Sequence, residues 1–333
     1  MNLSFSTSLT SVQTVIDSTS LKAFHTCKRY YKYRIVDGWT KRDMGPHLAF
    51  GQYFHIGRET YEKAKAQGAE HNEALRVAVR ATLLAAWDQN LNRPWNSGHP
   101  EKNRWNLIRS LVWYLDTFGQ HDRLQTIILA NGRPAVEQSF KFVAFDPADG
   151  EILTSPATGE QIMVAGHFDR VAFQGGFPYV CDAKTTGSQL DQKYWSQFTP
   201  DDQISLYTYA GRAGLMNVDN PGWGDKPVLP MQRDIQGVII DAVKVKVTFT
   251  DFQRQEILRD NFQLEEWFAG FKYDVQIMAE LAERNYWPMN PTACHNYGGC
   301  MFREVCSKTP GARKQFLETF YIRDIWDPMI PRE

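Results

Sequence analysis

The stretch GHFDRVAFQGGFPYVCDAKTT, residues 166–186, constrains the fold more than any other part of the chain. Two apolar runs flank Gly175-Gly176, a pair suited to a two-residue hairpin loop. With that loop Gln174 opposes Phe177, and counting back along both strands sets Asp169 opposite Asp182. Directly opposed residues hold their Cβ atoms about 4.5–5.5 Å apart, and like charges placed so are destabilising. A shared proton, a cationic side chain or a bound metal ion must offset that repulsion. Lys184 lies two residues beyond Asp182 and so projects from the same face, opposite His167.

Two carboxylates with hard oxygens suit Mg²⁺ or Mn²⁺, and a lysine beside the ion can position or deprotonate a water for in-line attack on phosphorus. A plainer account also fits the spacing. Asp169 would pair with Arg170 or another cation, Asp182 and Lys184 would lie on a solvated edge, and a bulge would break the register.

The 333 residues are 43% hydrophobic and 23% charged, which describes a soluble globular chain able to bury a core without staples. The formal net charge is -1, so a nucleic-acid surface has to be a local patch. No apolar run reaches the roughly 18 residues of a membrane span, and the N-terminus is too polar for a secretory signal. The expectation is a cytoplasmic protein with no membrane partner and reduced thiols. Its five cysteines, Cys27, Cys181, Cys294, Cys300 and Cys306, are odd in number with three near the end, which suits ligation better than a disulfide framework.

Helical spacing predicts a first helix over 19–34, with a basic and aromatic second face, and further helices over 49–67, 72–89 and 103–118. Strand patterns follow over 125–129, 135–143, 162–173 and 179–184, then a helix over 202–213 and a strand within 236–249. A long helix is predicted from Phe252 to Glu283. The segment NPGWGDKPVLPMQRD reads as a loop, and 307–333 as a poorly patterned tail. No Walker A string or other phosphate loop is present, so any unwinding would come from a partner.

GHFDRV, followed by CDAKTT on the next strand, resembles the PD-(D/E)XK nuclease superfamily, specifically its RecB-like and Cas4-like branch. STSLKAFHTCKRYYKYRI is similar to the N-terminal signature of that branch, LAFGQYFHIGRETYE to its Phe-Gly-x-x-x-His motif, and DDQISLYTYA to its Gln-x-x-x-Tyr helix. The resemblance runs from Ser18 to Cys306. It implies an α/β fold with a restriction-endonuclease-like core, a mixed central sheet flanked by helices. An N-terminal helical part would occupy 18–120, the core sheet 121–250, and the long helix and cysteines 251–306 of one nuclease domain. Asp169, Asp182 and His55 would hold the ion, Lys184 would be the catalytic lysine, and Gln203 and Tyr207 would orient DNA or the active site. Without the motif, His55 reads as a core histidine, and Gln203 and Tyr207 as a helix face packed on the sheet.

Other acids are less telling. Glu59 and Glu62 could reach the same cleft but read as surface partners of Arg58 and Lys63. Glu137, on a strand before the hairpin, could be a further acid near the site but reads first as a strand-edge glutamate. Cys181 points away from Asp182 and reads as a core thiol. CHNYGGCMFREVC places five residues between successive cysteines, and Gly298-Gly299 lets the chain bend back. In the resembling family an upstream cysteine, here Cys27, joins three such as Cys294, Cys300 and Cys306 around a [4Fe-4S] cluster that clamps the chain's two ends. The first gap is wider than is common there, which leaves open a Zn²⁺ site with His295 or an incomplete cluster. The expected function is a metal-dependent deoxyribonuclease, an exonuclease on single strands or DNA ends, with a helicase, recombinase or integrase as partner. Its alternatives are a non-catalytic binding module, or a CRISPR adaptation factor active only in complex.

Overall fold

Gly175 and Gly176 adopt φ of +59° and +82° and close the hairpin between strands Met163–Gln174 and Phe177–Thr186, as their lack of a Cβ permits. The computed structural model describes residues 3–42, 45–89, 91–129, 132–216 and 234–330. The chain divides into two units, one of Met1–Asp43, Lys141–Gly166 and Asn261–Pro331, the other of Met44–Phe140, His167–Asp260 and Arg332–Glu333. No helix of the described residues is long and apolar enough to cross a membrane.

In the second unit three helices come first, α1 (Pro46–Ala66), α2 (His71–Ala85) and α3 (Arg104–Phe118). Pro46 begins α1, where its missing N–H costs nothing, and Asn103 caps α3 by accepting the Asn106 N–H at 3.0 Å. Phe50, Phe54 and Tyr61 of α1 share a core with Leu107, Leu111 and Tyr114 of α3. Gly57 marks the closest approach, since a Cβ there would run into Thr82 Oγ1 and the Leu111 methyls.

The sheet holds β1 (Val136–Val143), β2 (Met163–Gln174), β3 (Phe177–Thr186), β4 (Gly237–Val245) and β5 (Thr250–Leu258). β1 pairs β2, β2 and β3 are antiparallel, β3 and β4 parallel, and β4 and β5 antiparallel, so the sheet is mixed. The parallel step requires a crossover, supplied by α4 (Gln192–Ser196) and α5 (Asp202–Met216). Val243 and Val245 turn toward the α1–α3 core, while Ala242, beside Lys184, faces the other way.

Two predicted elements change. Residues 252–258 are strand and not the start of the long helix, because every residue of Thr250–Leu258 pairs with β4; the ladder overrides the helix propensity of a Gln-, Arg- and Glu-rich segment. The helix α6 begins only at Asn261 and runs to Glu283. In the first unit the predicted helix 19–34 breaks at Cys27, whose φ of -168° and ψ of 121° are extended, leaving Ser18–Thr26 and Lys28–Tyr31. Asp17 caps the former by accepting the Ser20 N–H at 2.9 Å.

Residues expected to form a tail carry the helix Arg313–Phe320 and the strand Ile322–Arg323, which pairs with Trp39–Thr40. Leu317 and Tyr321 join Trp39, Phe302 and Val305 in a small core, one apolar side chain per turn being too sparse a pattern to read. Residues 220–233 of the predicted loop lie outside the described residues.

Candidate active site

The hairpin register is the one the glycines predict, and its antiparallel ladder ends at Arg170 opposite Cys181. At the next residue, Asp169 Oδ2 accepts the Ala183 N–H at 2.9 Å. A side-chain oxygen thus takes the amide where a strand carbonyl would. Asp182 and Lys184 continue in register on β4, beside Ile240 and Ala242. Lys184 Nζ stands 2.6 Å from Asp182 Oδ2 and donates to Gln203 Oε1 of α5 at 3.0 Å. His55, on α1, sets Nδ1 3.2 Å from Asp169 Oδ2 and Nε2 3.1 Å from the Ala183 carbonyl oxygen. That carbonyl can only accept, so Nε2 carries the hydrogen. The Nδ1 lone pair and a carboxylate oxygen then face each other, and only a proton or a cation can reconcile them.

A family model of the PD-(D/E)XK nuclease superfamily matches residues 18–307. The chain belongs to this superfamily. PD-(D/E)XK proteins are typically nucleases that use divalent metals. No curated protein matches the sequence.

In this PD-(D/E)XK chain, His55, Glu137 and Asp169 each offer a ligand atom, all within 4.8 Å of one another, a group that could hold a metal ion. Glu137 thus lies beside His55 and Asp169, where a further acid near the site would stand. It is buried, and its φ of +51°, rare for a residue with a Cβ, marks local backbone strain within β1. Asp182 Oδ2 is buried without a hydrogen bond of good geometry, although the Lys184 ammonium lies close. An imidazole nitrogen, hard carboxylate oxygens and an orphaned buried oxygen fit a divalent cation.

The two aspartates are driven apart electrostatically. Burial opposes charge on Asp169, but His55, the Ala183 amide, Arg58 and Lys184 together hold its carboxyl below the ordinary carboxylate range. Burial pushes Asp182 up, and Asp169 adds to this while Lys184 works against it. For Lys184 burial disfavours the charge, yet Asp182 and Asp169 outweigh it and keep the side chain an ammonium.

Arg170 does not pair with Asp169. It bonds Asp122 at 3.0 Å and Glu62 at 3.2 Å, while Glu59 pairs Lys63 at 2.5 Å. Glu59–Lys63 is the surface pair that the sequence led one to expect, whereas Arg170, Glu62 and Asp122 belong to a largely buried network that the sequence did not disclose. Arg58, one turn after His55, lies 3.6 Å from Asp241; Arg254 reaches Asp241 at 3.0 Å and Asp122 at 2.5 Å, and Tyr114 donates to Asp241. The one available signal was the row His55, Arg58, Glu62 on a single helix face. His167 Nδ1 lies 2.9 Å from Ser139 Oγ. Tyr207 is buried edge-on to Phe168 and Phe140. Burial pushes the Cys181 thiol up to about 12, as a core cysteine requires.

In the first unit Cys27, Cys294, Cys300 and Cys306 are free and half-buried. The extended backbone at Cys27 exposes its sulphur to the Asn290 N–H at 3.3 Å, and Cys294 Sγ lies 3.8 Å from the Asn290 carbonyl oxygen. Burial first, then Cys27 and Cys294, raises the Cys300 thiol; burial raises that of Cys306, with Cys300 and Cys27 adding to it. Cys300 thus lies within electrostatic reach of Cys27, Cys294 and Cys306, although among the described residues these sulphurs do not gather into a group tight enough to hold a metal ion.

Proposed function

We propose that this PD-(D/E)XK chain is a metal-dependent deoxyribonuclease of the RecB-like branch, an exonuclease acting on single strands or DNA ends. The observation that carries the reading is the meeting, in one buried site, of Asp169, Asp182, His55 and Glu137 with the Lys184 ammonium. The acids and His55 hold Mg²⁺ or Mn²⁺. When bound, the ion supplies Lewis-acid stabilisation of the scissile phosphate and acidifies a water. Lys184 is a charged donor, so it orients the attacking water or an equatorial phosphate oxygen, and Gln203 fixes where its ammonium points. Tyr207 packs the helix that carries Gln203 against Phe168 and takes a positioning role.

Cys27, Cys294, Cys300 and Cys306 hold a [4Fe-4S] cluster, with zinc as the competing occupant. Iron, sulphide and zinc analysis of anaerobically purified chain, beside Cys27→Ser, separates the two. The chain has no ATP motor motif, so a helicase, recombinase or integrase is its expected partner in recombination, phage DNA metabolism or CRISPR adaptation.

The deciding experiment follows end-labelled and circular DNA, single- and double-stranded, with Mn²⁺, Mg²⁺ or EDTA, beside Lys184→Ala. Metal-dependent loss of linear DNA, abolished in the variant, is the expected result. Tight binding without cleavage under any metal would make the chain a binding module instead.

A further inference from the structure

We infer that Asp201 takes over the Lys184 ammonium when a metal ion claims Asp182, so that the lysine has one acid partner before the ion binds and another after; the inference rests on the nuclease reading of this site. Lys184 Nζ stands between two elements. On β3 it lies 2.6 Å from Asp182 Oδ2, and on α5 it donates to Gln203 Oε1 at 3.0 Å. With Asp182 given over to a cation, the first contact is lost and the second remains. The lysine is the group able to give way, since its side chain is 33% exposed and that of Asp182 only 4%. Its flexible stem then swings toward α5.

Gln203 is neutral and cannot replace the charge that Asp182 supplied. It also lies in the first turn of α5, where the helix carries partial positive charge that disfavours an ammonium. Asp202 in that turn offsets the helix charge. Asp201 does so too, and its charge bears on the lysine: burial disfavours the Lys184 ammonium, while Asp182, Asp169 and Asp201, in that order, favour it. Asp201 is held in place by capping α5. Its Oδ1 accepts the Ile204 N–H at 3.2 Å and its carbonyl oxygen accepts the Ser205 N–H at 3.2 Å. The carboxylate is thereby fixed at the helix end toward which the lysine swings.

A second cation, Arg259, competes for the same acid: burial lowers its guanidinium, and Asp201 opposes that. Arg259 is already committed to neutral oxygens, Ser205 Oγ at 3.1 Å and the carbonyls of Leu258 at 2.9 Å and Phe198 at 3.2 Å. It cannot turn to Asp201 without leaving them. Lys184 loses nothing by the same move once Asp182 is taken, so the lysine is the better partner. Asp201 is thus a positioning residue that acts through Lys184.

The test is a double-mutant cycle read as Mn²⁺ affinity by calorimetry without DNA, which does not depend on cleavage. Asp201→Asn keeps a capping oxygen and removes the charge. It is measured in the wild-type chain and in Lys184→Met, with a urea midpoint for each protein. Asp201→Asn is expected to weaken Mn²⁺ about 5-fold in the wild-type chain and less than about 2-fold in Lys184→Met, at an unchanged midpoint. At saturating Mn²⁺ its kcat on single-stranded DNA falls about 10-fold with KM unchanged. Equal loss of Mn²⁺ affinity in both backgrounds overturns the inference, because Asp201 then acts on the ion and not through the lysine. So does a lowered urea midpoint with Mn²⁺ affinity intact, which assigns the charge to Arg259. Should Lys184→Met be too unstable to titrate, an unchanged kcat in Asp201→Asn overturns it as well. If the cycle shows the coupling but the wild-type chain cleaves no DNA with any metal, the exchange of partners stands and the nuclease reading falls.

Discussion

The Asp169 carboxylate accepts the Ala183 amide at 2.9 Å, so one acid of the site also ends the β2–β3 ladder. Asp169→Asn retains an oxygen able to accept that N–H, whereas Asp169→Ala leaves it buried and unpaired. The alanine variant is expected to lose about 1–3 kcal/mol more stability than the asparagine variant. Both lose Mn²⁺ affinity. Urea unfolding without metal, followed by Mn²⁺ titration, checks the two effects separately.

Gln203 fixes the Lys184 ammonium at 3.0 Å and makes no part of the sheet. Gln203→Ala should lower kcat about 10- to 100-fold through misplacement of that ammonium, with little change in KM. A rise in KM alone would reassign Gln203 to substrate binding.

Arg58 is buried, lies 3.6 Å from Asp241 and sets its guanidinium 5.1 Å from the Tyr114 ring centroid. Arg58→Met leaves Asp241 with Arg254 as its remaining cation, 3.0 Å away. A loss of about 3 kcal/mol is expected on breaking a buried charge network, read as a fall in the urea midpoint. A neutral outcome would mean that Arg254 alone neutralises Asp241.

Lys102 is fully buried, its Nζ without a hydrogen bond and 4.5 Å from the Phe50 ring centroid. Burial brings its ammonium down from 10.5 to about 8. Between those values the unfolded chain holds a proton that the folded chain has released, so this group makes stability rise with pH across that window, by about 3 kcal/mol. The contribution is complete above 10.5 and is lost as pH falls through about 8. Lys102→Met should flatten the rise and be more stable at pH 7. Denaturation midpoints from pH 7 to 10 for both proteins decide it.

What could be read from the sequence divides by the range of the interaction. The hairpin register was legible because Gly175-Gly176 leaves one loop geometry, and with it the approach of Asp169 to Asp182. His55 and Gln203 were visible only through a motif, since helix spacing says nothing of which strand a helix face will meet. Glu137 could be named as a possible further acid but not placed, and the Arg58–Asp241–Arg254 network was hidden, because each depends on residues far apart in the chain that only the folded sheet brings together. Thr250–Leu258 misled for the same reason: its local propensity is helical, and its ladder partner β4 decides otherwise. The break at Cys27 left no trace in the periodicity, although it frees the sulphur that the ligand reading needs.

β3 is paired with β4 from Val180 to Thr186, while its ladder with β2 ends at Cys181 and only the Asp169 side chain reaches the Ala183 amide beyond it. Asp182 and Lys184 are thus fixed through β4, while Gln203 and His55 arrive on separate helices. An incoming cation that claims Asp182 must evict the Lys184 ammonium by rotation of its side chain alone. The lysine is then a built-in counter-ion for the empty site, keeping a pair of buried acids tolerable until the ion arrives and becoming free for chemistry only when displaced.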